Sequence, residues 1–117
     1  MRYLGFIKPA RDYGDPPQAL QEAMGPYVQE AMASGHVVET GGMAPPSRTV
    51  RVKLAGGSVS VIDGPYSEAK EVTGGYVVME YATKEEAIEG MRTFLELHHT
   101  HWPEFEGECE LRELYKM

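Results

Sequence analysis

Val59-Ser60-Val61-Ile62-Asp63-Gly64-Pro65-Tyr66-Ser67-Glu68-Ala69-Lys70-Glu71 is the stretch on which the reading of this chain turns. Val59 and Val61 alternate with Ser58 and Ser60, the period of a strand with one apolar face. Gly64-Pro65 ends that strand, because glycine tolerates a positive φ while proline fixes its own φ and offers no N–H. Asp63 is therefore expected at a strand's end, on the same face as Val59 and Val61. Just upstream, Val50, Val52 and Leu54 alternate with Thr49, Arg51 and Lys53. Ala55-Gly56-Gly57 separates the two runs as a hairpin turn does.

Working outward, Gly74-Gly75 opens a further strand from Tyr76 to Tyr81, and Tyr3 to Ile7 reads as a first strand placed centrally in the sheet. Between Pro17 and Ser34 the residues Leu20, Met24, Tyr27, Val28 and Ala31 fall on one helical face. Gly25-Pro26 predicts a kink there or two stacked pieces, with Gly35 closing the helix. His36 to Glu39 is a short extended piece before a loop through Gly41-Gly42 and Pro45-Pro46. Thr83-Lys84-Glu85-Glu86 is a capping box opening a second helix, whose apolar side carries Ala87, Ile88, Met91, Phe94, Leu95 and His98. Trp102-Pro103 ends it, and Cys109, Leu111, Glu113 and Tyr115 alternate in a last strand.

The order of strand, helix, two or three strands, helix and strand predicts one domain over residues 1–117. Its class is α+β, a ferredoxin-like antiparallel sheet with two helices on one face. The other face, expected to carry Val59 and Val61 or their neighbours, needs covering, and a second copy is the simplest cover. A homodimer is the expectation.

Composition narrows the function. The chain has 117 residues, a formal charge of −7, 42% hydrophobic and 25% charged residues, which together describe an ordinary globular domain with a high ratio of surface to volume. Nucleic acid and anionic membrane are poor partners for it, since both call for clustered Lys and Arg. No apolar run reaches the ~18 to 20 residues of a membrane span, and Met1-Arg2-Tyr3-Leu4 runs into strand-like sequence rather than a signal peptide. With one cysteine, Cys109, expected as a small core residue, a cytoplasmic location is the default. No cofactor is expected.

Two groups of residues carry candidate chemistry. Asp63 with Lys70 and Glu71 joins a carboxylate, an ammonium and a second carboxylate that desolvation can tune toward a general base. The plainer reading makes Asp63 a cap for the Gly64-Pro65 turn and Lys70-Glu71 a surface pair. Gly64, Pro65, Tyr66 and Tyr76, with Val61 and Met43, supply the turn and walls of a small-molecule cleft beside Asp63 and Lys70. The second group is His98, His99 and His101 with Glu104. Only His98 and His101 share a helical face, no zinc-motif spacing supports them, and histidines at a helix C-terminus are favoured by the macrodipole alone. Metal binding there is a weak candidate, and His36 reads as a turn or surface residue.

The segment Asp63-Gly64-Pro65-Tyr66-Ser67-Glu68-Ala69-Lys70-Glu71 resembles the D-G-P-F-x-E-x-K-E signature of the YCII-related (YciI-like) proteins of the DGPF branch, with Tyr66 where phenylalanine is usual. Glu39 to Pro46, Gly74-Gly75-Tyr76 and the acidic last strand from Glu108 to Leu114 are similar to further family features, so the likeness spans nearly the whole chain. The resemblance implies a dimeric α+β barrel whose two sheets enclose a cleft. For some relatives it also implies an association with extracytoplasmic-function sigma factors. The YciI-type branch has a histidine on its first helix, where this chain has Met24. That departure favours a dimeric small-molecule-binding or regulatory module over the alternative, a lyase or isomerase of dehydrochlorinase type using Asp63, Lys70 and Glu71.

Overall fold

The computed structural model describes residues 1–63 and 73–116. The elements in chain order are β1 (Arg2–Pro9), α1 (Gln18–Ala33), β2 (Val37–Gly42), a single 3-10 turn (Pro46–Arg48), β3 (Val50–Ala55), β4 (Ser58–Asp63), β5 (Gly75–Glu80), α2 (Lys84–His101) and β6 (Gly107–Leu114). One four-stranded sheet runs in the order β2-β5-β1-β6, with every neighbouring pair antiparallel. Because β1 and β2 both run against β5, they are parallel to each other with α1 as their crossover. β5 and β6 are related in the same way through α2. This is the split β-α-β plan of a ferredoxin-like α+β domain, and β1 lies in the interior of the sheet as its continuous apolar run predicts.

The pleat of β1 sorts the core. Tyr3, Gly5 and Ile7 point to the helices and stand opposite Met79, Val77 and Gly75 on β5. Tyr3, Met79 and Ala87 are buried together, with Val77, Tyr81, Met91 and Leu111 packed around them. Gly5 faces α2: a β-carbon there would stand 3.1 Å from a Val77 methyl and 3.2 Å from the Met91 methyl. Ala87, fully buried, gives α2 a small contact residue on the same side. The Thr83 hydroxyl accepts the Glu86 N–H at 3.2 Å, so the hydroxyl half of the capping box is in place. Ile88, expected on the buried side, is 41% exposed and lies off the packed stripe.

α1 is one helix running through Pro26, so the chain there does not break into two stacked pieces. Glu22, Gly25 and Pro26 all face solvent, so the carbonyl that proline leaves without an intrahelical donor can bond to water instead. Gly35, at φ +82, ends the helix as expected. Gly41 and Gly42 differ from expectation too, because they belong to β2 rather than to a loop. The Tyr76 ring lies over Gly41, where a β-carbon would come within 3.1 Å of it, and Gly42 stands opposite Gly75.

The end of α2 is closed by an aromatic cluster. His98 is buried, its Nδ1 is 2.9 Å from the Phe94 carbonyl, and its ring packs 4.5 Å from Phe94 and 5.1 Å from Phe105 between centroids. Trp102 and Tyr13 extend the cluster, and the Tyr13 hydroxyl accepts the Glu106 N–H.

β3 and β4 form a two-stranded sheet of their own, joined by a two-residue turn in which Gly56 and Gly57 both have positive φ. Val59 and Val61 therefore do not lie on the open face of the main sheet, as the sequence had suggested. They sit on a hairpin beyond it. With extents of 46 × 36 × 20 Å and a radius of gyration of 16.2 Å, the chain is more extended than the roughly 13 to 14 Å of a compact domain this long. No helix among the described residues is long and apolar enough to cross a membrane.

Two outcomes are expected from this packing. Gly5→Val should overpack the contact with α2 and lower stability by about 1 to 3 kcal/mol, read as a fall in the urea midpoint at unchanged slope. His98 has its pKa held below the usual value, chiefly by burial, with the Phe94 bond working partly against that. The unfolded chain, titrating near 6.5, then binds more protons than the folded one, so stability should fall as pH drops from about 7 through this window. Glu80 and Glu110 are also held below their usual value, by their hydrogen bonds from Arg2 and Lys8, and lose their contribution only as pH falls from about 4.5, below the histidine window. Urea unfolding of His98→Leu should show a flatter pH dependence above about pH 5. A slope as steep as in the parent chain would assign the titration to another group.

Candidate functional site

The pleat that buries Tyr3 and Gly5 turns their neighbours to the opposite face. Leu4 and Phe6 of β1 meet Val78 and Tyr76 of β5 there, while β6 contributes Glu108, Glu110, Arg112 and Leu114 and β2 contributes Glu39 and Gly41. The result is an apolar strip of Leu4, Phe6, Tyr76 and Val78, each half-buried, with charged side chains on both flanks. Among the described residues no helix packs on it.

The flanks are ordered by ion pairs. Lys8 Nζ lies 2.8 Å from Glu110 Oε1, with the lysine side chain only 15% exposed, and Arg2 Nε lies 3.0 Å from Glu80 Oε2. The hydrogen bond from Lys8, together with the charges of Lys8 and Arg112, holds the Glu110 carboxyl below the usual carboxylate range. The hydrogen bond from Arg2 does the same for Glu80, helped by the N-terminal ammonium. The exposed Arg2–Glu80 pair adds little stability, and both pairs keep the flanks polar.

Tyr76 is the one phenol on the strip. Its ring lies across the bare backbone of Gly41, and the Thr40 hydroxyl donates to its carbonyl at 2.8 Å. Loss of solvent around the ring pushes the phenol's pKa up, and the Glu39 carboxylate beside it pushes the same way. A neutral phenol next to a carboxylate can donate one hydrogen bond and accept another, which suits it to orienting a polar group on a ligand whose body lies along the apolar strip.

Asp63 occupies the last position of β4, exposed, opposite Val50 and on the face that carries Val59 and Val61. Its place relative to its neighbours thus agrees with the alternation of the sequence. The expectations for Gly64, Pro65, Tyr66, Lys70 and Glu71 fall outside the described residues. Met43, half-exposed, follows β2 and donates its N–H to the Gly74 carbonyl, at the end of β5 near Tyr76. Met24 is half-buried on α1 and brings no proton-transfer group.

The histidine group is not assembled as a metal site. His98 is buried among phenylalanines with Nδ1 held by its own helix, while His99 and His101 are further round the last turn. Among the described residues no group of three or more His, Cys, Asp or Glu is placed to hold a metal ion. Cys109 is half-buried on the helix side, and burial, with Glu108 adding to it, raises its thiol pKa to about 11, which leaves it unreactive near neutrality.

A second concavity was not anticipated. His36 stacks flat on Tyr81, centroids 4.4 Å apart and planes 9° from parallel, at the head of a shallow groove of about 840 Å³ between α1 and α2. Tyr27 forms its floor and donates to the Gly90 carbonyl, and Glu30, Glu85 and Glu89 stand along it. The stack joins residues 45 positions apart, so no local pattern could have announced it. In the sequence Glu39 reads as the end of a short extended piece before a loop, and only the pairing of β2 with β5 makes it the flank of a sheet.

No curated protein matches the chain. The model of the YCII-related domain matches residues 1–93, which include β1, α1, β2, the hairpin, β5 and the first half of α2. With most of its length matched, and with the split β-α-β sheet that these residues build, the chain belongs to the YCII-related domain family.

Proposed function

We propose that this chain is a small-molecule-binding module that works as a homodimer, with two copies placing their open sheet faces opposite each other and holding the ligand between them. The observation that carries this reading is the uncovered strip of Leu4, Phe6, Tyr76 and Val78, with the Tyr76 phenol set beside Glu39. A strip like this is the floor of a site and lacks a roof. A second identical face supplies the roof, and two such floors give the mostly apolar, few-polar-group character of ligand pockets. The ligand this chemistry favours is a small molecule with a flat apolar body and a polar group that can both accept from the phenol and donate to the carboxylate. Cytoplasmic placement suits a chain whose one thiol is unreactive.

Acid-base catalysis has less behind it. A proton shuttle for neutral pH needs a group tuned toward 7 and within reach of the substrate. On this face Tyr76 moves up, while Glu80 and Glu110 move down. The lyase or isomerase alternative rests on Asp63, with Lys70 and Glu71.

The reading is tested by thermal shift of the wild-type chain against small phenols, aromatic amines and aromatic acids. A ligand at a hundredfold its dissociation constant should add about 2.7 kcal/mol of apparent stability. Tyr76→Phe and Glu39→Gln should each fold normally and lose most of that shift, and Asp63→Asn should lose it only where the hairpin carboxylate also reads the ligand. Turnover of a stabilising compound that stops in Asp63→Asn would restore the enzyme reading. A shift that is unchanged in both Tyr76→Phe and Glu39→Gln would move the site off the sheet face.

A further inference from the structure

The groove between α1 and α2 is lined by side chains whose hydrogen-bonding protons are nearly all spent. Tyr27 donates its hydroxyl proton to the Gly90 carbonyl, Ser34 to the Ala31 carbonyl and Thr93 to the Glu89 carbonyl. His36 Nδ1 stands 3.2 Å from the Glu80 carbonyl, which can only accept, so the proton of the neutral ring belongs there and Nε2 is left as an acceptor. Glu30, Glu85, Glu86 and Glu89 add acceptor-only carboxylates, and among the described residues no Lys or Arg lines the groove. Glu89 shares its carboxylate with Arg92 at 3.1 Å, whereas Glu30, Glu85 and Glu86 have no ion-pair partner among the described residues. Of the described lining side chains only the Tyr81 hydroxyl keeps a proton to donate.

We propose that this groove is a binding site for a small organic ammonium, a protonated primary or secondary amine carried on an apolar body. Such a group brings a positive charge and two or three N–H donors to a surface that offers almost only acceptors, while the Tyr27 and Tyr81 rings and Ala31 receive the apolar part. A carboxylate ligand would be repelled, and a neutral one would leave the acceptors unmatched. The volume of about 840 Å³ lies in the range of small-molecule sites. Two locally unfavourable choices meet here. Glu85 and Glu86 suit the first turn of α2, but Glu30 stands in the last turn of α1, where the helix dipole disfavours an acid. Gly90 weakens the interior of α2, yet a β-carbon there would stand 2.6 Å from the Tyr81 hydroxyl, so the glycine is what lets the phenols lie on the helix. Local rules broken together at one concavity are the mark of a site. The groove lies on the helix side of the sheet and stays open in a dimer made through the other face.

Titration calorimetry of the full chain with 2-phenylethylamine tests this, with 2-phenylethanol as the neutral probe and the trimethylammonium analogue as a cation without N–H donors. The amine should bind roughly tenfold or more tightly than either, because only it supplies both charge and donors. Its affinity should fall as salt is raised. Glu30→Gln with Glu86→Gln should weaken it by about tenfold or more, and Glu30→Gln alone should raise the urea midpoint, since it relieves the helix dipole. Gly90→Ala should weaken the amine too, by displacing Tyr81 from the groove. Tyr76→Phe, on the opposite side of the sheet, should leave the amine affinity unchanged. Alcohol and amine binding equally well would overturn the proposal, as would no binding of the amine at all. An amine whose affinity survives the two glutamines but is lost in Tyr76→Phe would overturn it as well, and would leave the sheet-face site standing. Loss of the sheet-face ligands in Tyr76→Phe, or their failure to bind, has no bearing on the amine.

Discussion

The contact of α2 with the centre of the sheet at Gly5 is the constraint from which most of this structure follows. With no side chain on that strand position, the helix approaches until the Met91 and Val77 methyls fill the space a β-carbon would take. Tyr3 and Met79 are buried beside it, and Ala87 presents the smallest surface the helix can offer. Because a strand's side chains alternate, the same pleat commits Leu4 and Phe6 to the other side. With both helices packed on one face of the sheet, no helix among the described residues is left for the second. The open strip is thus a consequence of how the core is made, and a ligand or a partner can use it without disturbing that core.

Polar chemistry in the chain is arranged around this division. On the helix side the titratable groups are withdrawn from use: His98 is depressed by burial and Cys109 is raised by it. On the open side the carboxylates of Glu80 and Glu110 are paired and stay ionised, while Tyr76 stays a neutral phenol. A face of this kind offers hydrogen bonds at fixed positions and little driving force for moving a proton at neutral pH.

Period-two and helical patterns made much of this legible. They located the strands of the main sheet, the capping of α2, the central place of β1 and the face shared by Asp63 with Val59 and Val61. What they cannot tell is which strands are neighbours. Val50 to Ile62 reads as two amphipathic strands whether they extend the main sheet or stand apart, since alternation marks faces and says nothing about pairing partners. Gly41-Gly42 reads as a loop because glycine usually marks one, yet here the absent side chains make room for the Tyr76 ring. Pro26 reads as a break because solvent access to the Glu22 carbonyl is not written in the sequence. His98 reads as part of the apolar side of α2, where it lies, but the cluster that buries it is not legible, because Phe105 follows only after the chain has reversed past Trp102. The proposed site was half legible: Tyr76 and Asp63 were found from their segment, while Glu39 and the strip of Leu4, Phe6 and Val78 required the register of three strands.

The hairpin brings these threads together, because it is the one element whose sequence is consistent at every local level and inconsistent with standing alone. Its turn has the positive-φ glycines that a two-residue connection needs, its strands alternate cleanly, and its basic residues sit between aliphatic ones. Such consistency normally accompanies a buried face. An aliphatic face of five residues kept in water would favour aggregation through the hairpin's open strand edges.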